Sequence, residues 1–315
     1  MQGIGGDIAA AANCLRKGDL VGIPTETVYG LAANALNPEA VASIFTAKNR
    51  PFFDPLIVHL HAEKEVSRYV SHYPEKARIL AKAFWPGPLT LVLPKNVIIP
   101  DLVTAGQDTV GIRVPSHPVC LSLLQSLDFP LAAPSANPFG YVSPTTAQHV
   151  ADQLGEKVCY ILDGGPCEVG VESTIVGFVD DEPILYRLGG ISVEAIEAIV
   201  GKVNEQLHSG SNPSAPGQLD AHYSPGCKVI ISDILPENLP AKTALLRFKS
   251  TLPGFPAEHQ FVLSNNGSLE EAAVHLFALL RQLDSMGYGL IVAERLPNNG
   301  LGRAINDRLT RAAAK

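Results

Sequence analysis

Charged side chains are scarce in this 315-residue sequence, at 17%, while 46% of residues are hydrophobic, so the chain has the material for a sizeable core and is no disordered tail. A basic excess is missing as well. The 24 Lys and Arg are outnumbered by 31 Asp and Glu; the formal net charge of -7 argues against a protein that coats duplex nucleic acid with a broad basic face, though not against a small basic pocket. Cysteine is sparse: Cys14, Cys120, Cys159, Cys167 and Cys227 form an odd, widely spread set without a C-x-x-C pair. That excludes a small disulfide scaffold, and reduced thiols in a cytosolic protein are the expectation. Apolar strings such as Leu89-Thr90-Leu91-Val92-Leu93 fall far short of the roughly 20 residues of a membrane helix. Asp7 precedes any basic residue and no long apolar stretch follows, so no secretory signal is expected.

Common signatures are absent too. There is no G-x-x-x-x-G-K-Ser/Thr loop, and Gly3-x-Gly5-Gly6 lacks a preceding strand. No H-E-x-x-H or Cys/His series supports zinc, and no G-x-S-x-G supports a hydrolase nucleophile.

What is present is a mixture of helical and strand patterns. Helices are predicted at Ile8 to Arg16, from Pro38, at Glu65 to Tyr69, Glu75 to Phe84, Pro118 to Leu127 and Thr145 to Leu154. Strands are predicted at Asp19 to Ile23, Leu56 to Val58, Leu89 to Leu93, Val110 to Val114, Leu131 to Ala133, Val158 to Leu162, Thr174 to Val179 and Ile184 to Arg187, the last two as an antiparallel section. Ser, Pro and Gly recur over Ser209 to Gly226, which reads as a linker. Beyond it, strands near Val229, Ala244, Phe261 and Gly289, with helices near Leu269 to Leu283 and Ala304 to Ala313, suggest a second, smaller α/β unit.

The chemistry-bearing segments follow strands. Pro24-Thr25-Glu26-Thr27-Val28-Tyr29-Gly30 gathers polar groups beyond a strand's carboxyl end, where α/β sheets bind ligands; Thr27 would orient a polar ligand and Tyr29 wall it, unless both serve only the loop and core. Lys48 and Arg50 stand at a helix exit, suited to phosphate or to the helix terminus, and His59 ends a strand. Thr109, Gly111 and Arg113 share one strand face. Small residues around Ala133, Ser135 and Asn137 permit close backbone approach; Ser143 caps or binds an anion; Ser173 and Arg187 suit a carboxylate and phosphate. Glu26, Asp163 and Glu172 are read as loop residues rather than metal ligands.

Together Pro24 to Gly30, Lys48-Asn49-Arg50-Pro51, Pro134-Ser135-Ala136-Asn137 and Glu172-Ser173-Thr174-Ile175 resemble the Sua5/YrdC threonylcarbamoyl-AMP synthase family over roughly residues 8 to 204. Pro216-Gly217, His222-Tyr223-Ser224-Pro225 and Gly300-Leu301-Gly302-Arg303-Ala304-Ile305 extend the resemblance across a Sua5-type linker and terminal domain. The resemblance implies an α/β fold: a YrdC-like twisted open mixed sheet with helices (1–207), a linker and active-site lid (208–226) and a small α/β Sua5 domain (227–315). It implies formation of L-threonylcarbamoyladenylate and diphosphate from L-threonine, bicarbonate and ATP, for tRNA N6-threonylcarbamoyladenosine (t6A) at position 37, in the cytoplasm. By analogy Thr27, His59, Arg113, Ala133 and Ser173 surround threonine, while Lys48, Arg50, Thr109, Ser135, Ser143, Arg187, His222 and Tyr223 hold ATP, with Lys48 and Arg50 catalytic. Mg2+ is expected through the ATP phosphates, its protein ligands unknown; downstream t6A transfer machinery is the expected partner, with no membrane and no stable tRNA binding required.

Three departures from the family pattern stand out: Asn49 replaces the Gly of Lys-Gly-Arg, Asp54 replaces an Asn, and Gln218-Leu219-Asp220-Ala221 replaces a more basic stretch. They predict altered loop flexibility and a weaker lid. An RNA-binding module and a carbamoyl-phosphate-dependent transferase are the alternative readings.

Overall fold

A computed structural model describes residues 3–208, 213, 215–218 and 222–314. After β1 (Ile4–Gly5), the Asp7 carboxylate accepts the amides of Ala9 and Ala10 and starts α1 (Ile8–Arg16). β2 (Val21–Ile23) and β3 (Gly30–Asn34) follow, then Asn37 and Pro38 start α2 (Pro38–Lys48). The chain continues through β4 (Ile57–His59), α3 (Val66–Tyr69), α4 (Glu75–Phe84), β5 (Leu89–Pro94), β6 (Thr109–Arg113), α5 (Pro118–Gln125) and β7 (Leu131–Ala132). α6 (Ala147–Leu154), β8 (Tyr160–Leu162), β9 (Thr174–Val179), β10 (Glu182–Arg187), α7 (Val193–Val200) and β11 (Asn204–Glu205) complete the first part.

Among the described residues these strands form one 11-stranded sheet, in the order β1-β8-β2-β3-β7-β4-β6-β5-β9-β10-β11. The sheet is mixed: β4 pairs with β6 and β5 with β9 in parallel, while β5/β6 and the expected β9/β10 pair are antiparallel. A second sheet follows, built from β12 (Lys228–Ile231), β13 (Thr243–Arg247), β14 (Gln260–Val262) and, after α8 (Leu269–Ser285), β15 (Leu290–Ala293); α9 (Gly300–Ala313) ends the chain. Its order is β12-β15-β13-β14 and its pairs are parallel.

β3 and α7 go beyond the sequence reading. Gly-Leu-Ala-Ala-Asn in β3 is buried on both faces, so it carries no alternation to betray a strand. α7 is capped by Ser192, whose hydroxyl accepts the Ala195 amide, and it turns Val193 and Ile196 inward. The cysteine expectation is corrected: Cys14 and Cys159 form a disulfide, with Cα atoms 6.2 Å apart. α1 packs on β8, which makes neighbours of two cysteines 145 residues apart in sequence. Among the described residues no helix is long and apolar enough to cross a membrane.

The two sheets meet through loops of the first. Val28, Val142 and Val171 belong to the same buried cluster as Phe277, Leu280, Ile305 and Leu309. Arg281 of α8 donates Nε to Ser143 O (3.1 Å) and Nη2 to Val142 O and to Gln153 Oε1 (2.9 Å). At Gly170 (φ +75°) a Cβ would lie 2.4 Å from both Ala273 O and Val274 Cα. Only glycine lets α8 approach there. Gly170→Ala is therefore expected to destabilise the protein by about 2–4 kcal/mol, combining overpacking with a left-handed backbone that alanine resists; a urea midpoint equal to wild type refutes this.

Candidate functional site

The loop after β2 is folded by its own hydroxyls. Thr25 Oγ1 donates to Val28 O (2.6 Å) and accepts the amides of Thr27 and Val28 (3.2 Å each), leaving Thr27 Oγ1 2.9 Å away. Thr27 lines a partly enclosed cavity of about 590 Å³, a volume that includes solvent at its mouth. Tyr29 does not wall it: the ring is fully buried and its hydroxyl donates to Gly165 O (2.7 Å). This is the core reading of Tyr29.

Parallel pairing of β4 with β6 sets His59 beside Arg113 in register. Arg113 donates Nη2 to Glu26 Oε1 (2.6 Å) and Nε to Gly87 O (3.3 Å). Ser173 Oγ lies 2.8 Å from Thr90 Oγ1, and Ala133 follows β7. Thr27, His59, Arg113, Ala133 and Ser173 all line the same space. Burial, then the charge of Arg113, push the His59 imidazole down to about 3, and its Nδ1 has no partner. A neutral ring thus carries a hydrogen-bonding atom with no protein partner.

Further cations stand in or beside the cavity. α2 ends at Asn49, whose left-handed backbone (φ 52°, ψ 40°) is one that asparagine tolerates. Lys48, 1% exposed, turns away from the cavity and donates Nζ to Ser135 O and Asn137 O (2.5 Å each). Burial, then Arg50, hold its ammonium well below the usual lysine range. Arg50 faces the cavity, with Nε on Asp54 O (3.0 Å), Nη2 on Pro55 O (2.8 Å) and Asp54 Oδ2 at 2.9 Å. Burial raises the Asp54 carboxyl against the pull of Arg50 and Lys48. Arg187 donates Nη2 to Ser173 O (2.9 Å) and Oγ (3.0 Å), and Nη1 to Pro216 O (3.2 Å). Among the described residues it has no ion-pair partner.

Described residues of the region expected as a lid take part in the same cavity. Pro216, Gly217, His222 and Tyr223 line the cavity. The His222 ring meets Tyr223 at 4.1 Å, and Tyr223 stacks on Phe277 at 5.5 Å. Gln218 is fully buried, its amide accepting Ala215 N (3.1 Å) and donating to Gln206 O (2.8 Å). Leu219, Asp220 and Ala221 lie outside the described residues.

Ten of the thirteen expected site residues line this one cavity; Lys48, Thr109 and Ser143 do not. Thr109 starts β6, at the opposite end from Arg113. Ser143 is buried behind the wall and donates to Glu172 Oε1 (2.5 Å). Arg308 escapes the sequence reading, and Glu172 is read there as a loop residue. Glu172 lines the cavity, and Arg308 of α9 binds its other oxygen, Nε to Oε2 at 2.8 Å. The available signal was an arginine inside the apolar stripe Ala304, Ile305, Leu309, Ala312.

Family models match almost the whole chain: one described as telomere recombination (Sua5, YciO, YrdC) over residues 13–189, the other as threonylcarbamoyl-AMP synthase, C-terminal domain, over 191–314. The chain belongs to the Sua5/YrdC family. It is 40% identical to the threonylcarbamoyl-AMP synthase of Pyrococcus abyssi over 97% of this chain and 94% of that one, and 40% identical to that of Bacillus subtilis over 97% and 92%. The crystal structure of P. abyssi Sua5 complexed with L-threonine superposes with a TM-score of 0.90 at 38% identity, covering 99% of this chain and 96% of that one. E. coli YciO, at 25% identity and a TM-score of 0.52, covers 59% of this chain and 94% of its own.

The two buried imidazoles in this Sua5/YrdC site make acid sensitivity testable. Folded His59 stays neutral down to about pH 3, whereas an ordinary histidine protonates near 6.5. The unfolded chain therefore binds the extra proton, and stability falls as pH drops from 6.5 towards 3, by up to about 1.4 kcal/mol per pH unit. His222, held low by burial and by Arg50 and Lys48, adds the same sign. His59→Gln is expected to make the decline shallower by one histidine's share. Urea unfolding from about pH 7 to 4.5 measures it, and parallel slopes in variant and wild type contradict the assignment.

Proposed function

We infer that this chain is a threonylcarbamoyl-AMP synthase, forming L-threonylcarbamoyladenylate and diphosphate from L-threonine, bicarbonate and ATP for t6A at position 37 of tRNA. The observation that carries the reading is Arg187: a buried guanidinium that, among the described residues, is hydrogen-bonded to neutral oxygens alone, in the same cavity as Arg50. Such a charge is costly until an anion arrives, and a triphosphate supplies one. Support for threonine comes from the same lining, where Arg113 and Ser173 suit a carboxylate and Thr27 and the neutral His59 suit the hydroxyl and amine. The P. abyssi structure complexed with L-threonine supports threonine as the substrate.

In the reaction we propose, threonine nitrogen attacks carbon dioxide, free or released from bicarbonate, giving an N-carboxylate and a proton. A carboxylate oxygen then attacks the α-phosphorus, the bond from that phosphorus to the bridging oxygen breaks, and diphosphate leaves with the electron pair. Arg50 and Arg187 hold the phosphates in line and offset charge moving to the leaving group. Lys48 acts by fixing the carbonyls of Ser135 and Asn137, which shapes the loop carrying Ser135. Thr109 and Ser143 are assigned supporting places outside the cavity.

A protein-held Mg2+ in the cavity would need a lining carboxylate with a free oxygen. Glu172 lines it, but both its oxygens are engaged by Ser143 and Arg308. The described residues therefore do not build a protein-held Mg2+ site, and no step is assigned to one.

The two sheets support a division into residues 1–207 for catalysis, 208–226 as a closing linker and 227–315 as an accessory domain; we propose that the protein works in the cytoplasm and passes its product to t6A transfer machinery. Mass spectrometric detection of threonylcarbamoyl-AMP, with ATP, threonine and bicarbonate omitted in turn, tests the reading; a requirement for carbamoyl phosphate, or no product from wild type, overturns it. Arg113→Ala is expected to raise KM for threonine about 10- to 100-fold with KM for ATP within about threefold, and Arg187→Ala the reverse, as losses of charge-assisted hydrogen bonds of about 1.5–3 kcal/mol. Unchanged constants refute those roles.

A further inference from the structure

The last helix backs the cavity wall through Arg308, and the argument rests on reading that cavity as the ATP site. Arg308 is fully buried. Beside its bond to Glu172 it donates Nη2 to Leu188 O (2.8 Å) and Nη1 to Asp307 Oδ2 (2.7 Å), and its guanidinium carbon sits 5.0 Å from the Tyr223 ring centroid. Glu172 and Tyr223 both line the cavity; Arg308 stands behind them. Tyr223 has a left-handed backbone (φ 61°), which a bulky residue adopts only when its surroundings enforce it.

The charges explain why this contact matters. Burial alone raises the Glu172 carboxyl, but Arg308 and then Arg187 outweigh it and hold it below the usual range. Glu172 thus feels two guanidiniums, and Arg308 is the one hydrogen-bonded to it. Without Arg308, the cation left acting on that carboxylate among the described residues is Arg187, the charge that the proposed function gives to the phosphates.

We propose that Arg308 is a positioning residue for adenylate formation: it engages Glu172, keeps Arg187 available to ATP and fixes the Tyr223 ring, so that the second sheet's last helix takes part in nucleotide binding.

Steady-state kinetics of wild type, Arg308→Gln, Arg308→Lys and the double variant Glu172→Gln with Arg308→Gln test this, each shown folded by circular dichroism. Arg308→Gln is expected to raise KM for ATP about tenfold with KM for threonine within about threefold. The double variant, which removes the competing carboxylate, is expected to recover at least about threefold of that loss. Arg308→Lys keeps the charge but not the planar stack and falls between wild type and Arg308→Gln. Equal changes for both substrates, unchanged constants, or a double variant no better than Arg308→Gln overturn the proposal. Should Arg308→Gln not fold, Arg308→Lys decides alone, by whether its ATP constant rises while its threonine constant does not. A wild type that forms no product instead overturns the reading of the activity itself.

Discussion

Buried positive charge is the constraint around which this molecule is arranged. Lys48, Arg50, Arg113, Arg187 and Arg308 are all buried, and the acids buried with them are Glu26, Asp54 and Glu172. Each buried ion costs several kcal/mol unless its surroundings repay it. Here much of the repayment comes from backbone carbonyls: Ser135 and Asn137 for Lys48, Asp54 and Pro55 for Arg50, Ser173 and Pro216 for Arg187. The proline- and serine-rich loops after the strands are thus shaped to aim oxygens at cations. Carbonyls stabilise charge without cancelling it, which leaves a positive field for an anionic ligand in a chain of net charge -7.

The family departures acquire physical content in this setting. Asn49 makes the left-handed helix exit that glycine would make, so Lys48 and Arg50 keep their places on either side of it. Asp54 is a true change of charge, since its carboxylate is almost wholly buried beside Arg50 and moderates the field there. Gln218 is neutral where basic residues are common, and its partners are an amide and a carbonyl of the backbone. A side chain that both donates and accepts suits that seat, and lysine would not.

Motifs that follow strands were legible because a sheet brings the carboxyl ends of its strands to one edge, and short polar runs with Pro and Gly mark those ends. Hence Thr27, His59, Arg113, Ala133 and Ser173 converge although they span much of the chain. What stayed hidden depends on partners rather than on local pattern. Nothing within Lys48-Asn49-Arg50 says that the lysine turns to carbonyls while the arginine faces the cavity. Tyr29 reads equally as wall or core until Gly165 O is found beside its hydroxyl. Cys14 and Cys159 are unremarkable in sequence and adjacent only once α1 lies on β8. β3 is silent because both its faces are buried.

The same two loops also bind the halves of the molecule together. The 142–145 segment presents carbonyls to Arg281 of α8 and the Ser143 hydroxyl to Glu172, while the 170–173 segment presents Gly170 to α8, Glu172 to Arg308 and Ser173 to the cavity. A displacement of the second sheet by even a hydrogen-bond length would break bonds to Ser143 O and Glu172 before it disturbed any strand of the first. Buried donors then lose their acceptors at about 1–3 kcal/mol each, more where a charge is involved. The position of the second sheet and the shape of the cavity are therefore one variable, because the peptide segments that define the wall are the segments that carry the interface.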